Sequence, residues 1–478
     1  MRNLTLLTDL YQLTMGQGYF SENKHEQLAV FDVFFRPNKI ITYSVAAGME
    51  QVVEYLENLH FSEDDIEYLR SLGIFTEDYL AYLARLRFTG DVFAVREGEI
   101  VFPYEPILTV RAPMIQAQLV ETAILTFVNH QTLIATKASK ICAAAEGSVV
   151  MEFGLRRAQG ADAGIYGARA AVIGGCASTS NVYAGKQFDI SVSGTMAHSW
   201  VMNFPSEKEA FRAYARSFPE NCLLLVDTYD TLKSGVPHAI EVFHELRAAG
   251  YEPKGIRLDS GDLAYLSKEA RRMLDEAGFP NAIICASGDL DEYLITSLKS
   301  QGARIDSWGV GTKLITSADL PALGGVYKLA AVYENGKEIP KIKLSDTTEK
   351  ITNPSFKEVY RIYDRSTDKA IADYIVRADE VVDESRPLEL FHPVDTWKRM
   401  TVTNFRARRL REKLIVNGKR ANPVRSLKEI SEYRKEEYGR FWGEYTRQDI
   451  PHIYKVDLSE RLHALKQRMV RSRGEEQE

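Results

Sequence analysis

The sequence predicts an α/β fold whose middle is a barrel of parallel strands with helices outside. Two observations lead there. Between residues 149 and 310, short apolar runs alternate with amphipathic helical stretches, and strand–helix pairs repeated in this way lay their strands parallel. Residues able to do chemistry then fall at or just past the C-terminal ends of those runs: Asp227, Asp259, Ser287-Gly288-Asp289 and Gly309-Val310-Gly311-Thr312. A barrel gathers such ends on one face, whereas an open doubly wound sheet spreads them along an edge.

Residues 1–112 mix short strands with helices. Phe31-Asp32-Val33-Phe34-Phe35 alternates like a strand, and 49–59 and 77–86 carry apolar residues at helical spacing. Residues 91–95 and 99–110 read as strand–turn–strand about Arg96-Glu97-Gly98, with Pro103 and Pro106 disturbing the second arm. A second region, 113–325, opens on Pro113 and a helical pattern over 115–145 that Gly147 stops. Strand–helix pairs follow: 149–153 with 162–173, 223–227 with 232–249, 255–259 with 263–277, 282–285 with 290–300, then a strand at 306–310. In the third region, 326–478, β patterns return at 326–333, 359–363 and 371–376, the first ending in the Glu334-Asn335-Gly336-Lys337 turn. Residues 380–478 are charged and partly helical, and 471–478, without apolar side chains, are expected to fray.

Composition narrows the function. The 478 residues exceed one compact domain, and 45% hydrophobic with 26% charged side chains is ordinary for a globular protein. A balance of 60 basic against 66 acidic groups, net −6, argues against a nucleic-acid binder. No run of about 18 uncharged apolar residues predicts a membrane span. Asp9 within the first apolar run is wrong for a signal peptide, so a cytoplasmic protein is expected. Cys142, Cys176, Cys222 and Cys285 are scattered, which suits reduced core thiols rather than a zinc site or disulfides. The motifs H-E-x-x-H, G-x-G-x-x-G and G-x-S-x-G are absent, weakening metalloprotease, dinucleotide-binding and hydrolase readings.

Arg257-Leu258-Asp259-Ser260-Gly261-Asp262 ends a strand on two carboxylates and a hydroxyl, a set able to hold ribose hydroxyls or a magnesium ion. Capping of the next helix by Ser260 or Asp262 is the plainer alternative. It does not account for Arg257 and Asp259 facing one side of the strand at period two. Gly309-Val310-Gly311-Thr312-Lys313 and Ser287-Gly288-Asp289 offer backbone N–H groups to a phosphate, although either alone could be a tight turn. Glu152-Phe153-Gly154-Leu155-Arg156-Arg157 places an aromatic ring and two arginines just after a strand, suited to a planar anion. His198, in Ser193-Gly194-Thr195-Met196-Ala197-His198, would alone be read as core packing. Imidazole becomes a competent nucleophile once a carboxylate orients its other nitrogen, and Asp227 and Asp259 are both candidates.

Together with Leu7-Thr8-Asp9-Leu10-Tyr11-Gln12-Leu13-Thr14-Met15 and Asp227-Thr228-Tyr229-Asp230, these motifs, in this order, resemble the nicotinate phosphoribosyltransferases. The resemblance implies an irregular (β/α) barrel with a smaller α+β domain formed by the N-terminal region and the returning C-terminal segments. It implies an enzyme of the ligase class that joins nicotinate to 5-phosphoribosyl 1-diphosphate on a route to NAD. ATP would be a co-substrate, Mg2+ the cofactor and His198 the phosphorylated residue. Carried over by residue, Tyr11, Thr195 and Arg257 contact nicotinate, and Phe153 and Arg156, with Arg157 beside them, flank its ring. Asp227, Asp259 and Ser260 serve the ribosyl side, with Asp259 also a magnesium ligand. Gly288, Asp289, Gly309, Gly311 and Thr312 serve phosphate. A homodimer with active sites near the subunit interface is implied, Tyr11 reaching from the partner. The alternatives are a sister enzyme using nicotinamide or quinolinate, and a phosphoribosyl diphosphate sensor without turnover.

Overall fold

A computed structural model describes residues 2–38, 40–345 and 350–475. The chain divides into two compact units, Met1–Leu133 with Ala322–Glu478, and Ile134–Pro321.

The unit built from both chain ends holds an antiparallel sheet in the order Lys337–Pro340, Gly325–Glu334, Leu28–Phe35, Leu108–Pro113, Asp91–Val95, Arg411–Val416, Lys419–Arg420. The two prolines act as anticipated: the expected second arm is split into Ile100–Val101 and Leu108–Pro113, and it is the latter that pairs with Asp91–Val95. The hairpin at Asn335 and Gly336 takes positive φ at both residues (51° and 76°), as a tight two-residue turn requires. A second sheet runs Phe405–Arg409, Lys357–Asp364, Ala370–Arg377, Lys455–Leu458. Its Arg361 is fully buried and pairs with both Asp373 (2.6 Å) and Glu99 (2.5 Å), so the charge is matched where water cannot reach it. The charged 380–478 region thus holds more strand than its composition suggests. Its last helix, Glu460–Glu475, runs past the point where fraying is expected, and 476–478 lie outside the described residues.

The other unit carries six parallel strands, Val149–Glu152, Ser178–Thr179, Leu223–Leu225, Gly255–Leu258, Ile283–Gly288 and Ser307–Val310. Along the sheet they run second, first, sixth, fifth, fourth, third. The first strand therefore pairs with the last, Val149 to Ser307 and Glu152 to Val310. Among the described residues the ladder does not close, since no pairing joins Ser178–Thr179 to Leu223–Leu225. The chain between them forms helices Val182–Phe188, His198–Met202 and Glu207–Ser217, and only an isolated bridge, Thr179 to Val192, extends that edge. The expected helix over 115–145 is two, Met114–Leu119 and Glu121–Ala144, parted at Val120 (φ −82°, ψ −4°). Helices on the strands begin on side-chain caps: Asp262 accepts from the Tyr265 N–H and Asp291 from the Leu294 N–H. No described helix is long and apolar enough to cross a membrane.

Candidate active site

The C-terminal ends of neighbouring parallel strands bring the sequence-singled residues into one hydrogen-bonded group. Arg257 and Cys285 are partners in register, so Ser287, two residues on, faces the same side as Arg257. The Arg257 Nε donates to Ser287 Oγ at 2.8 Å, and its Nη2 donates to Asp259 Oδ1 at 2.8 Å. Ser287 donates its hydroxyl to the same Asp259 oxygen. The guanidinium also reaches the Met196 carbonyl at 3.4 Å and lies 5.9 Å from the centre of the Phe153 ring.

Asp227 buttresses this group from the next strand. Its Oδ2 accepts from the Asp259 backbone N–H (2.9 Å) and the Ser260 hydroxyl (2.7 Å), while Oδ1 is buried without a hydrogen-bond partner. The Ser260 hydroxyl is thus spent on Asp227, and capping falls to Asp262. Thr195 Oγ1 is likewise buried without a partner. Buried polar atoms ordinarily find a partner.

His198 opens the helix His198–Met202 with its side chain 40% exposed. Its Nδ1 meets Thr228 Oγ1 at 3.1 Å and its Nε2 stands 3.9 Å from Asp259 Oδ2. Of the two acids considered for orienting the ring, Asp259 is the one facing it, at ion-pair rather than hydrogen-bond range. The hydrogen bond itself comes from Thr228, a residue to which sequence reasoning assigned no role. Ser287 is expected from sequence only as part of a phosphate-type turn, not as the hydroxyl that links Arg257 to Asp259. Its place two residues beyond Cys285, the register partner of Arg257, is what gives its side chain that role.

Phe153 is held by its surroundings. Its N–H donates to the Val310 carbonyl at 2.8 Å. Glu152, fully buried, accepts from the Thr179 hydroxyl at 2.6 Å and from the Gly154 N–H, bracing the bend that carries the ring. Burial pushes the Glu152 carboxyl above its ordinary range, against the pull of those two donors. A side chain at Gly309 would meet the ring at 2.5 Å, so glycine there makes room for it. Gly288 has φ +117°, and a Cβ would stand 2.7 Å from the Asp259 carbonyl. Arg156 and Arg157, on a 3-10 turn, and Asp289 are exposed, and Thr312 begins the short helix Thr312–Ile315. Tyr11 belongs to the other unit, about half exposed on the helix Leu10–Ser21.

Burial pushes the Asp259 carboxyl up, but the hydrogen bonds from Ser287 and Arg257 and the Arg257 charge outweigh it and hold the group below its usual value. A depressed carboxylate contributes fully above its ordinary pKa, and that contribution is lost as pH falls through the lowered one. Ser287→Ala removes one donor, so the acid limb of kcat/KM should move to higher pH. Coincident limbs in wild type and variant would show that Ser287 does not hold Asp259 ionised.

A model of the nicotinate phosphoribosyltransferase N-terminal domain matches residues 6–129, the family model 149–370, and the C-terminal domain model 356–466. The chain belongs to the nicotinate phosphoribosyltransferase family. It is 48% identical to the nicotinate phosphoribosyltransferase of Bacillus subtilis (strain 168), over 99% of this chain and 98% of that one. The Homo sapiens nicotinate phosphoribosyltransferase is 31% identical over 96% of this chain and 95% of its own. The crystal structure of human nicotinic acid phosphoribosyltransferase superposes with a TM-score of 0.86 at 29% identity, covering 97% of this chain and 100% of that one. The contacts around Arg257, Asp259, Phe153 and His198 all lie within residues 149–370, the span of the nicotinate phosphoribosyltransferase family model.

Proposed function

We propose that this chain joins nicotinate to 5-phosphoribosyl 1-diphosphate, giving nicotinate mononucleotide and diphosphate, with ATP hydrolysis coupled through a phosphate carried by His198. The observation that carries the reading is the Arg257–Asp259–Ser287 group standing between the Phe153 ring and His198. Nicotinate is a planar anion. Its ring suits Phe153, and its carboxylate suits Arg257 and the unpartnered Thr195 hydroxyl. The pyridine nitrogen is already nucleophilic and needs orientation more than activation. As its lone pair forms the bond to C1 of the ribose, the C1–oxygen bond breaks and its electrons leave with diphosphate. Positive charge grows on the ribose in between, and an ionised Asp259 stabilises it. The turns at Gly288-Asp289 and Gly309-Val310-Gly311-Thr312 present backbone to the phosphates, and the exposed Arg156, with Arg157 next to it, flanks the pyridine ring beside Phe153.

Among the described residues no group of three or more His, Cys, Asp or Glu could hold a metal unaided. Asp259 Oδ1 is already engaged by Arg257 and Ser287, whereas the buried Asp227 Oδ1 is not. Asp227, through that oxygen, and Asp259 beside it would hold a Mg2+ ion, with the substrate's diphosphate completing its ligands. A metal held there would neutralise charge on the diphosphate. In this reading the six parallel strands are an irregular, incompletely closed barrel, their cyclic order being that of a barrel with one gap. The enzyme works as a homodimer in which Tyr11 serves a second copy's site. Tyr11 and Met15, one helical turn apart and both exposed, are apolar groups such a partner would cover.

Turnover of nicotinate, nicotinamide and quinolinate by the purified protein, with and without ATP, tests the reaction. Nicotinate is expected to be preferred and ATP to raise its turnover. Preference for either other base sinks the assignment, and phosphoribosyl diphosphate binding without product would mark a sensor instead.

A further inference from the structure

Lys137 lies on the helix Glu121–Ala144 with 4% of its side chain exposed, and the reaction described above makes no use of it. Its Nζ pairs with two carboxylates from separate segments, Glu292 Oε2 at 2.7 Å and Asp319. Glu292, itself 3% exposed, opens the helix that follows the Ile283–Gly288 strand and its Gly288-Asp289 turn. Asp319 follows the Ser307–Val310 strand and the short helix Thr312–Ile315. One ammonium therefore ties together the two stretches that carry the phosphate-type turns. Burial pulls the Lys137 ammonium down, but Glu292 and Asp319 outweigh it and keep it charged.

We propose that Lys137 is a positioning residue for phosphate recognition, setting the spacing of the Gly288 and Gly311 turns without touching the substrate. The proposal rests on the reading that these turns receive the phosphates of a phosphoribosyl compound. A misplacement near 1 Å is enough to cost a positioned site heavily. Losing the clamp should therefore weaken phosphate binding more than base binding, because Phe153 and Arg257 stand on other strands and meet these two only through neighbours such as Val310 and Ser287.

The test is Lys137→Met, with Lys137→Met/Glu292→Gln beside it because the single variant strands a buried carboxylate and could fail to fold. Calorimetric titration with ribose 5-phosphate and, separately, with nicotinate reads the two subsites in protein shown folded by circular dichroism. The expected result is ribose 5-phosphate affinity lowered about tenfold or more, with nicotinate affinity within about twofold. The KM for phosphoribosyl diphosphate should rise correspondingly more than that for nicotinate. Lys137→Arg, which can still bridge both acids, should recover part of the loss. A folded variant with wild-type ribose 5-phosphate affinity, or equal loss for both ligands, overturns the proposal. Lys137-dependent ribose 5-phosphate binding supports it even if wild type fails to turn over nicotinate, a failure that would fall on the reaction assignment alone.

Discussion

Replacing Asp259 by asparagine should lower kcat about 10²–10³-fold, the range lost when one preorganised electrostatic group is taken from a charge-developing transition state. The substitution keeps the side chain's size and an acceptor for the Arg257 and Ser287 donors. It also leaves untouched the Asp259 backbone N–H that Asp227 accepts. What it removes is the negative charge, which the surrounding donors hold in place below the ordinary carboxylate range. The loss should fall on kcat more than on the KM for nicotinate, because the charge matters most when the ribose is cationic. Steady-state kinetics with a melting curve as control reads both. An asparagine variant of wild-type kcat would show that Asp259 does not act on the ribosyl centre.

His198→Ala should abolish acid-labile labelling from γ-labelled ATP and, with it, the stimulation of synthesis by ATP. Slow ATP-independent synthesis should remain, since the proposed mechanism gives base orientation to Phe153 and Arg257 and ribosyl stabilisation to Asp259. The fold should hardly notice. With 40% of the side chain exposed and its one hydrogen bond made to a hydroxyl, removal leaves no buried charge unpaired, and a change within about 0.5 kcal/mol is expected. Equal labelling of wild type and variant would falsify the phosphohistidine. Thr228 gives an internal check: it hydrogen-bonds Nδ1, so the label's attachment nitrogen reports whether that contact survives phosphorylation.

Much of the parallel sheet was readable because its strands are short apolar runs set between helices that declare themselves by cap and period. Gly255–Leu258, Ser307–Val310 and the helix Leu263–Glu276 fall within a residue or two of where the pattern puts them. Ser178–Thr179 was not readable. Two polar residues make a strand only because Met151 and Glu152 are there to pair with them. The split of the 115–145 helix at Val120 had no proline or glycine to announce it.

His198 and its neighbours divide in the same way. Residue order alone was enough to put several acids and two glycine turns at strand ends, with an arginine and a histidine in the same chain, because side-chain chemistry and strand period are local properties. Which group meets which was not local. That Thr228 rather than a carboxylate bonds Nδ1, that Ser287 shares Asp259 with Arg257, and that Lys137 spans two turns depend on how strands distant in sequence lie beside one another. Register between non-adjacent segments is set by packing over the whole unit, and periodicity along one segment carries no record of it.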